Sequence, residues 1–163
     1  MTNSGKYFER QFVNSFNKIY PIQTKDENES YIIRLKDSGS KMKRVDVADY
    51  LVFFKNVVFN SELKARKKGI LYLSSLNEKQ INKWKSFSYK NIRIPLIILK
   101  DTNTKKIAVF FKKDLIKLYS NNKLTINDST YVFEYNNSDI PYNLDVLFSN
   151  IYIDLFSKET ALL

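Results

Sequence analysis

Near the start of the chain Phe8, Phe12, Phe16 and Ile19 recur every three or four positions, the period of one helix face. The spacing predicts an amphipathic helix over residues 6–20, with Ser4 as its cap and Pro21 as its stop. A polar, acidic stretch over 23–30 reads as a loop. The pattern then changes to that of strands: SYIIRLK (30–36), DYLVFF (49–54) and NVVFNSELK (56–64), with Asn56 as the tight-turn residue between the last two. Phe53 and Phe54 must face opposite sides of their strand, one in the core and the other available to a second copy of the chain. Between the first two strands, KDSGSKMKRVDVA (36–48) places cations around a Ser-Gly-Ser turn signal and reads as a short basic protrusion.

The basic segment ARKKG (65–69) leads to a second helix over 76–87, capped by Ser74 or Ser75, with Trp84, Phe87 and nearby Tyr89 read as covering the core. RIPLIIL (93–99) and KIAVFF (106–111) form a hairpin through the turn DTNT. A short helix over 114–119, a strand TYVFEY (130–135) and a closing helix over 143–156 complete the chain. Neither an internal repeat nor a low-complexity segment interrupts it.

Length and composition narrow what this pattern is for. At 163 residues, 44% hydrophobic and 15% aromatic, the chain is expected to form one domain, 1–163, around one well-filled core. Its 27 Lys and Arg against 17 Asp and Glu give a formal charge of +10, which favours a polyanionic partner, nucleic acid or an anionic membrane surface. The richness in Lys, Asn and Ile is also what an AT-rich genome produces. The absence of Cys and His excludes thiol nucleophiles, Ser-His triads and ordinary zinc sites. Catalysis then rests on carboxylates, Lys, Tyr or Ser, most naturally around a hard cation held by oxygens. No apolar run is long enough to span a membrane and MTNSGKYFER lacks a signal peptide's apolar centre, so a cytoplasmic protein is expected.

Asp49, Glu62 and Lys64 are the residues in which such chemistry concentrates. They follow the order of acidic and lysine groups used by metal-dependent phosphodiester hydrolases. Glu62 and Lys64 are two apart on one strand, so they project to the same side about 6.5 Å apart, with Leu63 turned to the core. A lone Glu-x-Lys arises by chance roughly once in a chain this charged, and its plain reading is a solvated ion pair. Context favours more: the acid lies on the adjacent strand, and Glu9 on the preceding helix. Asp46 is a rival acid three residues before Asp49.

Helix, acid strand, Glu-x-Lys strand, helix resembles the core of the PD-(D/E)XK nuclease superfamily. Within it, GKYFERQFVNSFNKIY is similar to the opening helix of the RecU family of Holliday junction resolvases. DYLVFFKNVVFNSELKARK resembles that family's strand pair, LSSLNEKQINKW its approach to a helix carrying a glutamine at Gln80, and IPYNLDVLFSNIYIDL its closing helix. The resemblance implies an α/β (α+β) fold, a mixed central sheet flanked by helices with a restriction-endonuclease-like core. It implies a Mg²⁺- or Mn²⁺-dependent endonuclease cutting four-way junctions by paired symmetric nicks, in recombination, repair or phage DNA processing.

On that reading Asp49, Glu62 and the Leu63 carbonyl are metal ligands, and Lys64 orients the attacking water and stabilises developing charge. Glu9 reaches the metal through water or forms a second site, and Gln80 holds the lysine or a phosphate. Lys36, Lys41, Lys43 and Arg44 on the protrusion, with Arg66, Lys67 and Lys68 after the active strand, track DNA phosphates. The two-fold symmetry of a junction implies a homodimer. Two departures stand out: Val47 and Ala48 replace the hydroxyl residues that usually precede the Asp, and the stalk is short, about 36–46. A nuclease for linear duplex and a catalytically silent DNA-binding module are the competing readings.

Overall fold

The computed structural model describes residues 4–21, 30–35, 48–76, 78, 81–82, 93–129, 131–135 and 142–160. The phenylalanine spacing forms helix α1 (Ser4–Ile19), and Phe8, Phe12 and Phe16 are fully buried along it. Strands β1 (Tyr31–Arg34), β2 (Tyr50–Phe54) and β3 (Val57–Arg66) follow as an antiparallel series. Phe54 pairs with Val57, so the turn is the two residues Lys55 and Asn56. Its left-handed position is Lys55, at φ 54°, one residue before the expected Asn56.

Strands β5 (Arg93–Asp101) and β6 (Lys106–Phe111) form the expected hairpin, and β8 (Tyr131–Glu134) adds to β6. Asp101 organises the turn: its carboxylate accepts from the Asn103 N–H at 2.8 Å and the Thr104 hydroxyl at 2.7 Å. Six strands make one sheet in the order β1-β2-β3-β5-β6-β8, mixed because β3 and β5 alone are parallel. Both central strands are buried along most of their length, which suits the near-continuous apolar run of β5. Pro95 sits in β5 opposite Asn60, beyond the end of β6, which stops opposite Leu96; its missing N–H therefore interrupts no β5–β6 pairing.

Two further strands, β4 (Ile70–Tyr72) and β7 (Lys123–Thr125), pair as a separate ribbon that the sequence pattern did not predict. Ser74 and Ser75, either one expected to cap the 76–87 helix, lie in a 3₁₀ turn, Leu73–Ser75. Glu78, Ile81 and Asn82 are helical, while the rest of the predicted 76–87 helix after Leu76, with Trp84, Phe87 and Tyr89, lies outside the described residues. Helix α2 (Lys112–Asn121) extends the short helix expected at 114–119, and the Asp114 carboxylate accepts the Phe111 N–H at 2.8 Å at its start. The closing helix is α3 (Leu144–Thr160).

The sheet carries apolar packing on both faces. On one, α1 and α3 bury Phe59, Leu63, Leu96 and Val109 beneath Phe12 and Phe148. On the other, α2 and the small ribbon bury Ile97, Leu99, Ala108 and Phe110 with Leu71, Leu118 and Leu124. One cation is inside the first core. The Lys100 ammonium donates to Gln11 Oε1 at 3.0 Å and stands 4.7 Å from the centre of the Tyr135 ring. Burial pulls its pKa below the ordinary lysine value.

Candidate active site

Tyr50 pairs with Ser61, and its side chain is buried in the helix-side core. The residue before it, Asp49, is a bend just outside β2, and the register carried one step further sets it across from Glu62. Asp49 is held twice. Its backbone carbonyl accepts the Leu35 N–H at 2.9 Å, and its Oδ2 accepts the Leu63 N–H at 2.8 Å. An extended residue directs its N–H and C=O to the same side. The Leu63 carbonyl thus faces the Asp49 side of β3, at a level where β2 has already ended.

Leu63 itself is in the core and its two neighbours share the outer face, as the alternation predicts. Lys64 Nζ donates to Glu62 Oε1 at 2.5 Å. The Glu62 side chain is 3% exposed and that of Lys64 19%, so the lysine stands between a buried carboxylate and solvent. Two residues back on this face, Asn60 is buried, and its Oδ1 has no hydrogen-bond partner among the described residues.

The structure brings Asp49, Glu62, Leu63 and Lys64 together, and sets Glu9 against Arg34 and Tyr50, the residue next to Asp49. The Glu9 carboxylate accepts from Arg34 at 3.2 Å and from the Tyr50 hydroxyl at 3.4 Å, at the edge of a cleft lined by Lys6, Arg10, Arg34 and Tyr50. Burial, and after it the charge of Glu9, pushes the Tyr50 phenol up to about 12. Among the described residues no three acidic side chains converge as a metal cluster. The donors grouped here are all hard: two carboxylates and a strand carbonyl. That set suits a Mg²⁺- or Mn²⁺-type ion that keeps several of its waters.

Arg66, Lys67 and Lys68 lie immediately past Lys64, the two lysines exposed in a 3₁₀ turn with Lys68 at φ 62°. Gly69 follows at φ 54°, and a β-carbon there would come within 2.6 Å of Ile126 Cγ2, so the turn requires glycine. Lys36, Lys41, Lys43, Arg44, Asp46, Val47 and Gln80 lie outside the described residues. Sequence reasoning missed Arg34, Tyr50 and Asn60. Arg34 and Tyr50 had a signal in strand alternation, which sets both on the face that meets α1; Asn60 had none beyond its even spacing from Glu62.

No family model matches the chain, and no curated protein matches it. A solved structure does. The fold is similar to that of Hjc, a Holliday junction resolvase from the archaeal hyperthermophile Archaeoglobus fulgidus, with a TM-score of 0.55 at 18% identity over 80% of this chain and 95% of that one. The fold is restriction-endonuclease-like. This bears out the expected mixed sheet flanked by helices; at 18% identity the likeness is one of fold. No helix among the described residues is long and apolar enough to cross a membrane.

Proposed function

We propose that the chain is a metal-dependent, structure-selective DNA endonuclease, a RecU-like resolvase that cuts four-way junctions by paired symmetric nicks in recombination, repair or phage DNA processing. The observation that carries this reading is the single group formed by Asp49 on the Leu63 N–H and Lys64 on Glu62, on a fold similar to that of a junction resolvase. Asp49, Glu62 and the Leu63 carbonyl would hold Mg²⁺ or Mn²⁺. The bound ion supplies Lewis acidity and a water made acidic enough to attack phosphorus.

The chain's own residues do the rest. Glu62 is almost fully buried and is paired with Lys64. Lys64 reaches solvent beside the buried carboxylate, so its Nζ donates to the incoming water and to a phosphate oxygen as negative charge builds. The Leu63 N–H fixes the Asp49 carboxylate, so the ligand needs no reorganisation when the strand arrives. Glu9 with Arg34 borders the basic cleft, where it contributes to a second ion site or to strand placement. Lys67 and Lys68, with the protrusion cations Lys36, Lys41, Lys43 and Arg44, contact backbone phosphates, and Gln80 holds Lys64 or a phosphate. The protein acts in the cytoplasm as a homodimer with one site per continuous strand.

The test is incubation of the purified chain with an end-labelled four-way junction and a matched linear duplex, with Mg²⁺, Mn²⁺ or EDTA. Symmetric nicks confined to the junction, absent with EDTA and in Glu62→Ala and Lys64→Ala, are expected. Equal cutting of linear duplex would assign a general nuclease, and tight binding with no cleavage under either metal a silent DNA-binding module.

A further inference from the structure

The face of β1, β2 and β3 that looks away from α1 arranges its side chains in cross-strand rows. One row reads Tyr31, Phe53, Val58, Arg93 and the next Ile33, Leu51, Asn60, Pro95. The row after that holds Asp49 and Glu62. In the first row the Tyr31 and Phe53 rings are 4.2 Å apart and within 10° of parallel. Tyr31 is 39% exposed, Ile33 44%, and Arg93 is exposed on the same face. Neither of the first two rows contains an acidic residue, so the aromatic pair and its arginine present rings and positive charge together.

Phe53 is half-buried beside the more exposed Tyr31, and aromatic side chains on a sheet face beside a cation are a surface on which proteins stack unpaired bases while holding the backbone. A second copy of the chain is a poorer occupant of this face, because the row ends in an exposed arginine and neither row holds an acidic residue to pair with it. Phe53 and Arg93 are two strands apart, about 10 Å, a span that places the arginine beside the phosphate of a neighbouring nucleotide. From this row to the Asp49–Glu62 row is four residues along the strands, about 13 Å. That distance corresponds to about four nucleotides at the helical rise of 3.4 Å, and to fewer in an extended strand.

We propose that Tyr31 and Phe53 form a stacking platform for an unpaired base of the nucleic-acid substrate, with Arg93 on its backbone, a few nucleotides from the Asp49–Glu62 group. This rests on the proposed function only in taking the substrate to be nucleic acid. It adds that nucleotides close to the cut are unpaired in the bound substrate.

Binding in EDTA tests it without cleavage. The full chain is titrated into a splayed-arm duplex bearing 2-aminopurine at one of the first four unpaired positions, and separately into a fully paired duplex. The expected result is a fluorescence change at one of these positions and a loss in Tyr31→Ala of roughly 5- to 100-fold on the splayed arm, the range for removing one base–aromatic stack. Fully paired duplex binding stays unchanged. Tyr31→Leu keeps apolar bulk without the ring and is expected to show the same loss, while Arg93→Ala lowers the slope of log affinity against log salt by about one.

Retained splayed-arm affinity in Tyr31→Ala or Tyr31→Leu, equal losses on both DNAs, or no DNA binding at all would each overturn the platform. So would a drop in sedimentation mass on substituting Tyr31, which would make the face an interface between copies. Splayed-arm preference that depends on Tyr31, with no cleavage under any metal, would remove the nuclease proposal and leave the platform standing.

Discussion

Replacing Lys64 alone should damage this protein more than replacing Lys64 and Glu62 together. The pair joins a carboxylate side chain 3% exposed to an ammonium whose side chain is 19% exposed, at 2.5 Å. Removing one partner of a buried ion pair costs roughly 3–5 kcal/mol, because the other charge is left uncompensated. Lys64 reaches solvent, so water partly replaces it and the cost falls below that range, to about 2–3 kcal/mol for Lys64→Met. In a chain of this length each kcal/mol moves the melting temperature by about 2–4 °C, which gives a loss of roughly 4–12 °C.

Glu62→Leu with Lys64→Met leaves no charge behind, and such replacements are often neutral or stabilising by roughly 1 kcal/mol or more. Urea unfolding of the wild type, both single variants and the double variant closes the cycle and isolates the coupling. All three variants should lose metal-dependent DNA cleavage. A double variant less stable than Lys64→Met would refute the reasoning: the pair would then be a strut of the sheet, and a group kept at the expense of stability would no longer be the explanation for its burial.

Asp49→Asn keeps an oxygen for the Leu63 N–H and should retain the fold while cleavage falls by about 100-fold or more. Asp49→Ala should in addition cost roughly 1–3 kcal/mol in urea titrations, since that N–H loses its acceptor. Tyr50 has a folded pKa of about 12, above its unfolded value. Its contribution is therefore intact below pH 10 and disappears as pH rises through 12, so urea midpoints of wild type relative to Tyr50→Phe should be level up to pH 10 and fall beyond it. Phe148 is fully buried against the rings of Phe12, Phe16, Phe54 and Phe59, and Phe148→Ala should cost about 3–5 kcal/mol by the same titration.

Much of this architecture is written in short-range pattern. Phe8, Phe12 and Phe16 specify α1, the alternation around Val52 and Phe59 specifies a hairpin, and the run PLIIL marks a strand buried on both faces. These features need only a few neighbouring residues to be recognised, and Glu62 and Lys64 inherit their common side from strand geometry alone. What escaped depends on residues far apart. Strands Ile70–Tyr72 and Lys123–Thr125 are too short to show a period and exist because they pair with each other. Gln11 meets Lys100 and Tyr142 across 89 and 131 positions of chain. Arg34 reads as a solvent cation until α1 folds back to present Glu9. The hold of the Leu63 N–H on Asp49 also had no trace in the sequence, because it depends on β2 beginning one residue after the acid.

The two-residue turn at Lys55 and Asn56 sets a rule of length for any relative or redesign of this chain. Because Phe54 pairs with Val57, every residue on one strand faces a residue an odd number of positions away, and Asp49 and Glu62 stand thirteen apart (62 − 49). The hairpin can be lengthened or shortened symmetrically by one residue in each strand, keeping that separation odd and both acids on one side of the sheet. A single inserted or deleted residue in one strand turns one carboxylate to the opposite side unless a bulge absorbs it. Viable spacings between the two acids should therefore come in steps of two, a parity that can be read from sequences before any of them is purified.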